Sequence, residues 1–265
     1  MPPSIKNFSM PLRPDKKVIT LWLLVVTVAG SAGLLPRIPQ PLQYHQFADR
    51  HVCFGVTGCF DIASNALFIM AGLAGLQFLF SESGRRTFID SREALPYRLF
   101  FFAAILVGLG SGYYHLAPDN GRLVWDRAAI SLAMMSWLAA IISERVSPAA
   151  ALRLLPLMCA AGLGSVIYWG WSEANGTGDL RAYGVIQFYP MLLIPLLLRL
   201  YPPRYSGDKD ILAVIGLYLL ALSCDFMDHQ IAALTGVVSG HTVKHIIASL
   251  AMYWVVVRLQ RRRIM

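Results

Sequence analysis

Charge is what this chain has least of. Asp, Glu, Lys and Arg make up 14% of its 265 residues, where a soluble domain carries about 25%. With 56% hydrophobic residues and a mean hydropathy of +0.55, that scarcity excludes an ordinary soluble enzyme. Cysteine is scarce too: there are four, and no CxxC-type metal or redox spacing is present. Cys159 and Cys224 fall inside apolar runs and read as small hydrophobes. Cys53 and Cys59 share one loop and can be bridged if that loop faces an oxidising compartment. No internal repeat and no separate soluble domain are apparent. The net charge of +8 does not point to nucleic acid, because most of it lies in short loops between apolar runs.

What is present is a series of apolar runs of about 17–21 residues, the length a bilayer-spanning helix needs. Eight can be placed, at about 18–35, 62–80, 99–115, 126–142, 154–171, 184–200, 211–227 and 241–259. The expected fold is therefore an all-α polytopic membrane protein. The first run follows a polar stretch with Lys6, Arg13, Lys16 and Lys17, so it reads either as a retained helix or as a signal peptide. Residues 1–40 then form a leader with this extra segment, and 41–265 the main membrane domain. With the N-terminus in the cytoplasm, only Arg37, Arg50, Arg122, Arg127, Arg181 and Lys244 fall outside, against 17 of the 23 Lys and Arg inside. That bias predicts cytoplasmic termini.

The stretch Gly108–Arg127, GLGSGYYHLAPDNGRLVWDR, concentrates polar residues in an otherwise apolar chain. Ser111 and His115 are four apart and share one helical face. Pro118 and the Asn120–Gly121 pair predict a break and a turn, after which Asp126 opens the next run. Asp126 is then either a helix cap or a carboxylate that takes a proton during catalysis. Ser111 either packs against its own helix or steadies a developing oxyanion. Gly108, Gly110 and Gly112 keep bulk away from Ser111 or simply permit close helix packing. His241 and His245 also share one helical face, at a spacing that can hold a metal. As an isolated pair they could equally be interfacial histidines. In the eight-run topology His115 arrives at the same depth, and three histidines with an open fourth position suit catalytic zinc.

Asp61, Ser64 and Asn65 fall in the same layer, where they either brace the histidines from behind or begin their helix. Asp225, Asp228 and His229 lie there too, as further braces or as part of a solvated loop. Tyr113, Tyr114, Trp125, Trp169 and Trp171 read as an aromatic belt at the outer interface.

Taken together, DIASN at 61–65, GSGYYHL at 110–116, WDR at 125–127 and SGHTVKH at 239–245 resemble the alkaline ceramidase family. That family is one of the seven-helix membrane hydrolases, and the resemblance runs from about residue 45 to the C-terminus. It implies a seven-helix hydrolase bundle with one extra N-terminal helix or signal, and a zinc-dependent amidase cleaving the N-acyl bond of ceramide-like lipids. His115, His241 and His245 would bind Zn²⁺, Asp126 would serve as general base and then acid, and Ser111 would stabilise the transition state. The family's acidic calcium-linked segment reads ADRHVCFGVTG here, with Gly58 where a Glu is expected, so a calcium site is not implied. The sequence is most similar to the bacterial branch, which implies a cytoplasmic membrane, an active site near its outer face and a membrane lipid as partner. The competing expectation is a receptor-like or transport protein whose three histidines hold a structural or conducted metal. A transporter is expected to carry polar residues at mid-membrane, whereas here they gather at one end.

Overall fold

The computed structural model describes residues 16–265; the basic leader with Lys6 and Arg13 lies outside them. The described chain is almost wholly helical: α1 (Lys16–Leu34), α2 (Cys59–Ser64), α3 (Ala66–Phe80), α4 (Glu82–Arg85), α5 (Ala94–Leu116) and α6 (Asn120–Arg145). There follow α7 (Pro148–Ala174), α8 (Arg181–Leu200), α9 (Asp208–Phe226), α10 (Asp228–Thr235) and α11 (Gly240–Arg261). Among the described residues, seven helices are long and apolar enough to cross a membrane. An eighth is counted if α9 and α10, bent by 78°, form one span. A two-stranded hairpin, β1 (Val52–Cys53) with β2 (Val56–Thr57), interrupts the helices. The Cys53–Cys59 bridge closes it.

One local expectation fails. Asn120–Gly121 is not a turn, and Asp126 does not open its helix. The α5–α6 connection is made by Ala117, Pro118 and Asp119, and α6 begins at Asn120. Asp119 supplies the cap, accepting the amide of Arg122 at 2.8 Å, which satisfies a donor the first turn leaves unpaired. Asp126 therefore sits in the second turn of α6, and the cap reading of this residue is removed.

The central helix is α6, flanked by α5, α7 and α8, while α11 lies between α3 and α9. Helices in an apolar solvent associate through close packing rather than through burial from water, and glycine sets two of the approaches that shape the site. A Cβ on Gly108 would stand 2.7 Å from the Asn65 carbonyl and 2.6 Å from Ile69, so α5 lies directly on α3. A Cβ on Gly240 would strike the Cys224 carbonyl and stand 2.7 Å from Asp228 Cα, which draws the start of α11 onto the α9–α10 bend.

The end of the bundle away from the histidines is closed by a buried ionic lock. Glu144 accepts from Arg258 at 2.6 Å, from the Tyr97 hydroxyl at 2.7 Å, and from Arg262. All four residues are buried. Removing one partner strands charge in the interior. Glu144→Leu should lower unfolding stability by about 3–5 kcal/mol, read from melting of the purified protein in detergent. Melting at the wild-type temperature would contradict that account.

Candidate metal centre

Three histidines from two helices converge near the start of α11. One ligand nitrogen from each of His115, His241 and His245 lies within 4.8 Å of the others, and all three side chains are buried. His115 comes from the last turn of α5, and the other two from successive turns of α11. Nε2 of His115 stands 3.0 Å from Nε2 of His241, near the roughly 3.3 Å expected between ligands of a tetrahedral zinc.

The surroundings fix which nitrogens face inward. Nδ1 of His241 donates to Asp225 Oδ1 at 2.6 Å. An ionised carboxylate only accepts, so the proton sits on Nδ1 and Nε2 presents a lone pair. Nδ1 of His245 donates to the Asp61 carbonyl at 3.1 Å and to Ser64 Oγ at 2.9 Å, and Ser64 passes its own proton to the same carbonyl. Such partners orient metal-binding imidazoles and raise their basicity. Two nitrogens 3.0 Å apart, one with a fixed lone pair, call for a proton or a cation between them. The donor set therefore fits a metal ion of the kind imidazole favours.

The remaining polar groups hold this arrangement together. Asp61 Oδ1 accepts from Ser239 at 2.9 Å and Thr242 at 2.5 Å, while Ser239 caps α11 through the Thr242 amide at 2.9 Å. Asn65 donates to the Asp61 carbonyl at 2.7 Å. Asp228 accepts the His241 amide at 2.8 Å and the Ala48 amide at 2.8 Å. It is thus buried and positions the backbone of a histidine rather than lying in a solvated loop. Asp225, left open between those two roles by the sequence, bonds a candidate ligand directly. Asp225→Asn should weaken metal affinity by roughly 10–100-fold with the fold intact. Competition with a chelator measures this, and unchanged affinity would remove the bracing role.

Ser111 and Asp126 line one cavity of 260 Å³ with His245 and Lys244. Ser111 lies against the Asp126 carboxylate, whose Oδ1 is buried without a partner. Buried oxygens are almost always bonded, so this carboxylate presents the cavity with an acceptor that no side chain of the described residues uses. The rest of the wall is mostly apolar, with Phe68, Val107, Ile130, Met134 and Met252, but it also carries Arg127, Asp225 and Gln187. A wider opening of 830 Å³ shares Tyr44, Phe188, Leu222 and Asp225 with it and reaches His241.

The loop after α1, whose destination is not legible from the sequence, forms a strap over the site. Gln40 receives Arg127 at 2.5 Å and donates its amide to Glu173 at 2.7 Å. His45 accepts from the Tyr114 hydroxyl at 2.8 Å and donates to Asn120 at 2.9 Å. The Phe47 ring covers His115 and His241, with centroids 4.6 and 4.3 Å away. Asp49 ends the strap by accepting the amides of Phe60 and Asp61 at 2.8 and 3.0 Å. Burial alone would raise the Asp49 pKa, but these amides and the His51 amide and ring hold it below the usual carboxylate range. The stability it adds is full above the ordinary carboxylate pKa and is lost as pH falls through the lowered value.

The aromatic belt is only partly as expected. Trp125 and Trp171 are 64% and 61% exposed, whereas Tyr114 and Trp169 are 1% and 0% exposed. Tyr114 is taken by His45, and Trp169 lies under Arg127, 4.1 Å from ring centroid to guanidinium.

No protein-family model, curated protein or solved structure matches this chain. The chemistry of the site rests on the geometry above.

Proposed function

We propose that this chain is a multi-pass membrane hydrolase resembling the alkaline ceramidases, which cleaves the amide of ceramide-like or other N-acyl lipids to a free fatty acid and an amine. In this reading α2–α3, α5, α6, α7, α8, α9 and α11 are the seven helices of the bundle and α1 is an addition to it. The termini would be cytoplasmic and the histidines near the outer face of a bacterial cytoplasmic membrane. The observation that carries the proposal is the meeting of three imidazoles within 4.8 Å of one another, one of which, His245, shares a largely apolar cavity with Ser111 and the unpartnered Asp126 oxygen.

His115, His241 and His245 would hold Zn²⁺. When bound, zinc would supply a Lewis acid and lower the pKa of water towards about 7. Asp126 takes the proton of the attacking water and returns it to the leaving nitrogen as the C–N bond breaks. The Ser111 hydroxyl donates to the carbonyl oxygen as negative charge develops on it. Asp225, Ser64 and the Asp61 carbonyl hold two imidazoles in register. Phe68, Val107, Ile130 and Met252 shelter the acyl chain and exclude bulk water.

Transport is less well supported. The histidines and their polar partners sit at one end of the bundle, while the other end is closed by apolar side chains and the buried Glu144–Arg258–Arg262 lock. Metal analysis of purified protein, combined with mass spectrometry of co-purifying lipids, tests the reading. Zinc with a bound free fatty acid is the expected result, and protein that takes up no metal would overturn it.

A further inference from the structure

We propose that Lys244 selects the substrate by binding a carboxylate on the amine side of the scissile amide, so that N-acyl amino acids are preferred over neutral N-acyl amino alcohols. This rests on the amidase reading above and names its substrate class. Lys244 lies between the two α11 histidines and lines the cavity with Ser111, Asp126 and His245. Its side chain keeps 17% exposure, so it is largely withdrawn from solvent yet opens onto the chamber.

An ammonium has three donors, and its partners here are distant. Nζ stands 3.4 Å from Asp225 Oδ1 and 3.5 Å from His241 Nε2. The same Asp225 oxygen already accepts the shorter 2.6 Å bond from His241 Nδ1. A cation beside an apolar chamber is costly unless an anion pairs closely with it. Within this chain the pairing is loose and shared. The three imidazoles are neutral ligands, so a divalent cation among them adds positive charge beside Lys244 and offsets none.

The other cation on the cavity wall, Arg127, also keeps a buried unpartnered nitrogen, Nη1, but its guanidinium is already fixed in place. The Arg127 guanidinium stacks on Trp169 at 4.1 Å and donates to Gln40 at 2.5 Å. Distance then narrows the ligand. With Nζ only 3.5 Å from a candidate ligand nitrogen, an anion bound by Lys244 sits within one or two carbon atoms of an amide held at the histidines. A carboxylate on the carbon bonded to the amide nitrogen meets that condition. A lysine serving only as a structural partner of Asp225 predicts no discrimination between charged and neutral ligands.

The test compares N-oleoylglycine with N-oleoylethanolamine, first as ligands and then as substrates. Dissociation constants are measured on chelator-treated full-length protein, which keeps the ligands intact, for wild type, Lys244→Met, Lys244→Gln and Lys244→Arg. Wild type should bind the glycine conjugate about 10–100-fold more tightly, the range of a hydrogen bond to a charged group. The Met and Gln variants should lose that preference while binding the neutral ligand as before, and Arg should restore part of it. With zinc restored, the Met variant should show a raised KM for the glycine conjugate and a kcat close to wild type. Equal binding of the two ligands by wild type overturns the proposal, as does a Lys244→Met or Lys244→Gln variant that weakens both alike. Preferential binding of the glycine conjugate with no cleavage of either amide would instead sink the amidase reading and leave the anion site standing.

Discussion

Replacing His115, His241 or His245 with Ala should abolish metal content and hydrolysis together. Each change removes one of three nitrogens that lie within 4.8 Å of one another, and two remaining imidazoles do not complete a zinc site, which takes at least three protein ligands. Bound zinc should fall from about one per chain to near zero, with fatty-acid release lost in parallel. His241→Ala also frees Asp225 from its 2.6 Å bond and leaves that carboxylate to Lys244 alone. Elemental analysis and turnover are read on the same preparations. A histidine variant that keeps full zinc would remove that residue from the metal site.

Asp126→Asn should give the opposite pattern, with zinc retained and turnover lost. The substitution is nearly isosteric and leaves the start of α6 intact, since Asp119 is the cap. What it removes is the acceptor for the proton of the attacking water. Proton-transfer groups of this kind contribute about 10²–10⁴-fold, so kcat should fall by that factor at unchanged metal content. Ser111→Ala should also keep zinc, with a loss of roughly 10²–10³-fold if its hydroxyl supports the oxyanion. The two residues lie against each other, so their losses should not add. An Asp126→Asn protein with wild-type turnover would sink the proton-transfer role.

The sequence made the long helices legible because apolar runs of spanning length leave little else to the backbone. It also put the three histidines at one depth, since their positions relative to the ends of those runs survive errors of a few residues. Helix starts were less legible. Nothing in DNGRLVWD separates a turn at Asn120–Gly121 from a helix capped one residue earlier, and only the 2.8 Å bond from the Arg122 amide to Asp119 decides it. The strap was least legible. Gln40, His45, Phe47 and Asp49 lie in an irregular segment with no periodicity to fix which way side chains point. Their partners Asp61, Asn120, Arg127 and His241 lie from about a dozen to nearly two hundred residues away. Asp225 was ambiguous for a related reason: the 78° bend after Phe226, which turns the chain back over the start of α11, is not written in the hydropathy.

Fatty-acid release by one preparation taken through metal removal and restoration decides whether this protein is a metal-dependent amidase. Purified wild-type protein is assayed with an N-acyl lipid as isolated, after chelation, and after reloading with zinc, with Asp126→Asn alongside. Release is expected as isolated, none after chelation, recovery on reloading, and almost none from zinc-loaded Asp126→Asn. Release that persists after complete metal removal, or absence of release from zinc-loaded wild type across the N-acyl lipid panel, would contradict it.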